Sequence, residues 1–305
     1  MTRARFMGAA KKKTPVIVAG GEQGYIVRSE DGVNWSGSRL ASSDVRQIIR
    51  ANGLFISVGA GGVHSSPDGI TWTSRASGIL NSVAYGGGVF CAMGDVFLTS
   101  PDGITWTNRP LVSYLSNNVN TVMSVSYNAG LWVCICATSA GTTRSFIKSG
   151  SPTSAWTMSG TLFGVDAYFP MKPHDGIFYV MRQNASGQIY KSSDGVSFSS
   201  VGIASASSAG AGWAYSGSLW VAVGSNGTTP FLKTSGDLSS WTTVSTTFFT
   251  SAVIATVEWV PGLNLWVIGG LGGLIAYSPD ATNWTLASVN GLGTRYIQAF
   301  AYGYV

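Results

Sequence analysis

The chain has 305 residues, 45% hydrophobic and 10% charged, with a formal net charge of +5. That balance supports a core and excludes bulk disorder, and no apolar run reaches the roughly 18 residues a membrane-crossing helix needs. Three cysteines (Cys91, Cys134 and Cys136) are too few for a disulfide scaffold and lack a zinc-binding spacing, while 40 glycines and 11 tryptophans point to short strands joined by tight turns.

The N-terminal stretch MTRARFMGAAKKKTP has charge but no apolar stretch, so it does not read as a secretory signal. Arg3, Arg5, Lys11, Lys12 and Lys13 carry five positive charges with no acid among them. The chain's other 13 basic residues balance its 13 acidic ones, so the whole excess lies in this segment. Residues 1–14 read as a basic arm, with Phe6 as an apolar anchor, and residues 15–305 as one domain. Such an arm is steered toward an acidic surface. The neutral body offers no second basic patch, which favours a neighbouring protein over nucleic acid.

Beyond the arm, PVIVAGG at 15–21 reads as a buried strand, followed by SEDGVNW at 29–35. That second motif recurs as Ser66/Asp68/Trp72, Ser100/Asp102/Trp106, Ser192/Asp194/Phe198, Ser235/Asp237/Trp241 and Ser278/Asp280/Trp284, beside Ser29/Asp31/Trp35. Two copies, at 66–72 and 100–106, are identical: SPDGITW. A further copy, SGSPTSAW, ends at Trp156 and has lost its Asp. Upstream of the boxes lie apolar strands such as GLFISVG, GVFCAMG, GLWVCIC, GIFYVMR, SLWVAVG and NLWVIGG, and before several of those come VAYGGG, VSYNAG, WAYSGS and VEWVPG. In GLWVCIC the alternation puts Cys134 and Cys136 on one face, as small buried residues. Each unit is therefore strand, turn, strand, loop, strand, box, strand. Four short strands in about 40 residues is the period of a propeller blade.

The box has a physical reason. Its Asp accepts hydrogen bonds from backbone N–H groups and holds the turn between the third and fourth strands, and its aromatic starts the fourth strand and buries a large apolar area. At the far end, FAYG at 300–303 matches VAYG at 83–86, so it is an inner strand with no second strand after it, whereas PVIVAGG is a second strand with no inner strand before it. The expected fold is all-β: a seven-bladed β-propeller of four-stranded blades, closed by one C-terminal and three N-terminal strands in a shared blade. Closure hides sheet edges that would otherwise pair with other chains.

These boxes resemble the Asp-box (bacterial neuraminidase repeat) family over about residues 15–305. The compact S-x-D-G-x-x-W form is similar to that of propellers in tailed-phage virion proteins and in bacterial proteins without assigned chemistry. The sialidase type has one more residue between Asp and aromatic. The resemblance implies the propeller fold. For sialidase activity it would require three clamping arginines, a Tyr/Glu pair and an R-I-P-like signature, and no such tripeptide occurs.

A glycosidase needs two carboxyl groups flanking the scissile bond, yet six of the ten Asp sit in box turns. Glu258 is the odd residue, in an inner-strand column otherwise read as Ala84, Ser126, Ala214 and Ala301. A solvated channel position is its plain reading, ligand contact the alternative and a catalytic acid the last. His64 and His174 fall in different units with no partner spacing, which makes them surface residues. Arg28, Lys148 and Lys191 recur before their boxes as a solvated rim. The longer connections TNRPLVSYLSNNVN and ATSAGTTRS emerge on the face opposite the boxes and offer Arg109, Tyr114 and Arg144 for binding.

No enzyme activity, cofactor, metal or membrane contact is expected. The expected function is a non-catalytic structural and interaction protein of a bacteriophage virion, most consistent with a tail component (nozzle, tip or fibre-associated) made in the host cytoplasm. It would dock on neighbouring virion proteins of a symmetric assembly through the arm and the propeller loops. The alternative is a carbohydrate- or host-receptor-binding propeller that takes a host-surface glycan. A capsid decoration protein, an assembly-factor propeller and a glycoside hydrolase stand behind it.

Overall fold

The computed structural model describes residues 13–40, 43–115, 119–139, 143–161, 171–182, 187–203, 209–251, 253–291 and 293–305. Arg3, Arg5, Phe6, Lys11 and Lys12 of the arm lie outside them. The fold is an all-β propeller. Six antiparallel blades of four strands stand in a ring with a blade that both chain ends build. Blades 1 to 6 begin with the inner strands Val45–Ala51, Leu80–Gly86, Val119–Asn128, Lys172–His174, Ala209–Tyr215 and Ile254–Val260.

The shared blade takes its inner strand from Ile297–Tyr304, which pairs antiparallel with Pro15–Gly21 from Val16↔Gly303 to Gly20↔Ala299. Thr14 and Val305 extend this pairing by exchanging both backbone hydrogen bonds at 3.0 Å. The strands Tyr25–Ser29 and Asn34–Arg39 complete the three-from-one-end, one-from-the-other arrangement. The expectation of four strands needs one correction: this blade has five. Ser288–Asn290, on the way from blade 6 to the final strand, runs parallel to Asn34–Arg39 and pairs Val289 with Trp35. The crossing segment thereby covers an outer edge whose N–H and C=O groups would otherwise be open to another chain.

Hydrophobic cores fill the seams between blades, and the box aromatics are their plugs. Trp72 of blade 1 packs with Val16, Val18 and Ile26 of the shared blade. Trp106 of blade 2 packs with Ile56 and Val58 of blade 1. Trp35 of the shared blade packs with Val260, Val267 and Ile275 of blade 6. Each ring turns out of its own sheet toward the preceding blade, and outside the shared blade the outer strand begins one residue after the aromatic, as Thr73–Ala76 does after Trp72. Cys91, Cys134 and Cys136 are fully buried in one such seam, and burial pushes the Cys91 thiol well above its usual range.

Inner strands carry a bulge near their start, between Val45 and Gln47, Leu80 and Ser82, Val122 and Ser124, Gly210 and Gly212, and Ile254 and Thr256. A bulge re-aims side chains. Here it lets the residue after it stitch neighbouring blades at the axis. The Gln47 side-chain oxygen accepts the Val83 N–H at 2.8 Å, Ser82 Oγ the Val125 N–H at 3.0 Å, and Ser124 Oγ the Met171 N–H at 2.9 Å.

Candidate functional site: box turns and central channel

Two regions repeat around the ring with titratable groups in them. In the box turns the serine hydroxyl and the aspartate Oδ1 are spent locally. Ser66 Oγ donates to Asp68 Oδ1 at 3.0 Å and accepts the Gly69 N–H at 2.8 Å. The same Asp68 oxygen accepts the N–H groups of Ile70 and Thr71 at 2.8 and 3.0 Å. Asp31, Asp102, Asp194, Asp237 and Asp280 make the corresponding bonds to the N–H groups two and three residues on. Gly69 has φ 79, a left-handed conformation that a side chain would strain. For Asp31, partial burial opposes ionisation, but the Asn34 N–H and side chain, the Val33 N–H and the Ser29 hydroxyl outweigh it and hold the carboxyl at about 2. Asp102, Asp194, Asp237 and Asp280 are lowered, each first by the N–H three residues on. A carboxylate whose Oδ1 already accepts these bonds, and whose ionised form they stabilise, is a poor base.

The box indoles follow suit: Trp35, Trp72 and Trp241 donate Nε1–H to the carbonyls of Gly32, Gly69 and Leu238 at 2.9, 3.2 and 3.1 Å. Phe198 has no donor, and Trp106 and Trp284 make no such bond.

The central channel is different. Its inner strands enclose a cavity of about 790 Å³. Aligned by their pairing, the strands present Ile49, Ala84, Ser126, Lys172, Ala214, Glu258 and Ala301 at one level, and Arg50, Tyr85, Tyr127, Pro173, Tyr215, Trp259 and Tyr302 one residue on. Lys172 belongs to the column that marked Glu258 as odd. Its Nζ reaches past the small Ala214 level to Glu258 Oε2 at 3.0 Å, an ion pair with side chains 40% and 27% exposed. The aromatic level is held by close packing on the preceding blade. A Cβ on Gly86 would collide with the Tyr127 ring, and one on Gly303 with the Arg50 side chain.

Arg50 donates to the carbonyls of Pro67 and Tyr304 at 2.9 and 2.8 Å and lies over the Phe55 ring at 4.5 Å. Arg46 donates to the Asn81 side chain of the next blade. Among the described residues lining the cavity, Arg46, Arg50 and Lys172 face a single carboxylate, Glu258.

The loop residues singled out by sequence all border the seam between blades 2 and 3: Arg109 is the ladder partner of Phe97, Tyr114 packs in that seam's core, and Arg144 is the ladder partner of Cys136 there. Arg109 ends the strand Thr107–Arg109 and donates Nε to Thr99 Oγ1 at 3.2 Å. Tyr114 belongs to the short helix Leu111–Tyr114, packs edge-on against Phe97 at 5.4 Å, and gives its carbonyl to the Trp156 N–H at 2.7 Å. Arg144 pairs with Cys136 and Thr161 inside a strand of blade 3. Lys13 is exposed. Of the rim residues, Arg28 donates to the Asp68 carbonyl at 2.9 Å and to Glu30 at 2.7 Å, while Lys191 is exposed.

One histidine departs from expectation. His64 lies inside the strand Gly62–Ser66, 8% exposed, and burial lowers its pKa. His174 Nε2 is 3.0 Å from Asp175 Oδ2, with its ring 4.5 Å from Tyr215. Among the described residues, no group of three or more His, Cys, Asp or Glu could hold a metal ion.

No protein-family model matches the chain, and no curated protein matches it significantly. Solved structures do. YCF48 bound to D1 peptide is similar at 14% identity and a TM-score of 0.59, over 84% of this chain and 89% of that one. The computationally designed Ika8 protein is similar at 11% identity and a TM-score of 0.54, over 83% and 76%. The Neurospora crassa Pan2 WD40 domain is similar at 12% identity and a TM-score of 0.59, over 84% and 81%. At these identities the likeness establishes the β-propeller fold and not a function.

Proposed function

We propose that this chain is a non-catalytic structural and interaction protein of a bacteriophage virion, a tail component (nozzle, tip or fibre-associated) built as a seven-bladed ring when the shared blade is counted with the other six. The observation that carries this reading is the charge distribution. All five excess positive charges lie in residues 1–14, while the propeller body is neutral. A neutral, ring-closed body with a basic arm suits docking on an acidic protein surface, since exposed charges steer association and then lose reach beyond about 8–10 Å at ordinary ionic strength. The box carboxylates support a non-catalytic reading because each is committed to its own turn. YCF48, similar in fold, is seen with a bound peptide, which is in keeping with a protein partner here.

The test is deletion of residues 2–13. The shortened protein is expected to fold and melt like the full chain but to be missing from purified particles, with docking weakened by high salt. Normal incorporation of the deletion variant would contradict the proposal and move the docking surface to the propeller loops. A second reading, a carbohydrate- or receptor-binding propeller, is favoured by one observation: the size and composition of the central cavity.

A further inference from the structure

We propose that the central channel binds a carboxylate-bearing sugar, and that Lys172 takes the sugar's carboxylate in exchange for Glu258. The site stands on the channel alone and does not depend on the virion reading.

The cavity, about 790 Å³, lies in the range of ordinary small-ligand sites, roughly 300–1,000 Å³. Its charge selects the ligand's sign. Arg46, Arg50 and Lys172 against Glu258 leave the lining cationic by two, and low-dielectric walls focus that field into the opening. Its shape selects the class. Tyr85, Tyr127, Tyr215, Trp259 and Tyr302 stand at one level and line the cavity. They are amphipathic rings already fixed by packing, so little ordering cost attends binding. The Gln298, Asn52 and Ser126 side chains line the same space with donors and acceptors suited to hydroxyl groups. Half-buried aromatic rings, neutral polar groups and a cation together complement a hydroxylated ring with one carboxylate.

The cations differ in what they can give. Arg50 is tied to two backbone carbonyls and a ring, and Arg46 to Asn81, so both supply field and hold neighbouring blades together. Lys172 is held by a carboxylate, the group an acidic ligand would present. That bond is replaceable on two grounds. The pair is substantially exposed, 40% and 27% at its side chains, and ion pairs of this kind contribute little to stability. Moreover, its column is filled by Ala84, Ala214 and Ala301 in other blades, so packing at that level needs neither charge. Glu258 therefore acts as an internal counter-ion that a ligand carboxylate replaces at Lys172.

The two members of the pair should then act in opposite directions, which a purely structural ion pair would not do. The experiment is calorimetric titration of the full chain with glucuronate, with glucose as the neutral ring and with a short acidic peptide as the competing chemistry. Glucuronate is expected to bind, and glucose to bind at least about tenfold more weakly. Lys172→Met should weaken glucuronate binding by about tenfold or more, whereas Glu258→Gln should strengthen it by about threefold, with melting temperatures of both variants close to that of the parent. The proposal is overturned by equal binding of glucose and glucuronate, by no heat from glucuronate, by binding of the peptide alone, or by the same loss in both variants. Since particle incorporation reads the arm and this titration reads the channel, failure of either leaves the other standing.

Discussion

The box rim and the channel wall are built from the same repeat and behave in opposite ways. At the rim, six Ser–Asp turns repeat one hydrogen-bond pattern, and every carboxylate closes on its own backbone. At the channel, the residues of one level run from Ala84 and Ser126 to Lys172 and Glu258, and the charges close on each other across blades. Repetition marks what the fold requires of each blade. Departure from it, at positions where alanine suffices elsewhere, marks what the fold does not require. Substitutions should therefore cost stability at the rim and act on binding at the channel.

The largest expected effect breaks the ring itself. Deleting residues 297–305 removes the strand that pairs with Pro15–Gly21 and buries Ile297, Ala299, Phe300 and Ala301. The truncated chain should be unfolded or aggregated when assayed by size-exclusion chromatography and circular dichroism. Native melting in a monomeric truncation would refute closure by a shared blade.

Next comes Gly59→Val. A Cβ at Gly59 would collide with the carbonyl oxygen of Asp44, and Gly94 and Gly270 meet Ile79 and Val253 in the same way. The inner strand and its neighbour approach too closely there for any side chain, so denaturant unfolding should show a loss of about 3 kcal/mol. A loss below about 1 kcal/mol would mean that the bulged start of the inner strand yields easily.

Asp68→Ala should cost roughly 1–3 kcal/mol, because the N–H groups of Ile70 and Thr71 and the Ser66 hydroxyl lose their acceptor. The same carboxylates set an acid limit. Asp31 has its pKa near 2 in the fold, below an unfolded value of about 3.9. Its contribution is therefore fully present above the unfolded value and lost as pH falls through the folded one. The other box carboxylates shift in the same direction. Acid titration followed by tryptophan fluorescence should show stability falling between about pH 4 and 2. A drop already complete at pH 5 would point to other groups. The smallest effects belong to the channel: Lys172→Met and Glu258→Gln should each change unfolding free energy by less than about 1 kcal/mol.

Much of this was legible in the sequence because the repeat writes the fold several times over. The strands PVIVAGG and FAYG announced the shared blade by lacking partners, and the box spacing announced the turns. Lys172 was missed for a physical reason. KPHDG reads as a turn, since Pro173 and the Asp-Gly pair suit one, and the inner strand of blade 4 shrinks to Lys172–His174. Its partner lies 86 residues away, so no local pattern links the two. The fifth strand of the shared blade, Ser288–Asn290, is too short for an alternation to show. The burial of His64 depends on the connection that enters blade 1, whose Leu40, Ser43 and Asp44 line one small cavity with it. The bulges were equally silent, because an extra residue in a strand leaves the hydrophobic pattern nearly intact.

The most direct test of the contrast between rim and channel is a thermal unfolding comparison of Asp68→Ala and Lys172→Met against the parent chain, in one buffer near pH 7. The account predicts that Asp68→Ala lowers the midpoint by roughly 2–6 °C while Lys172→Met stays within about 2 °C. A channel variant that melts lower than the rim variant would contradict it.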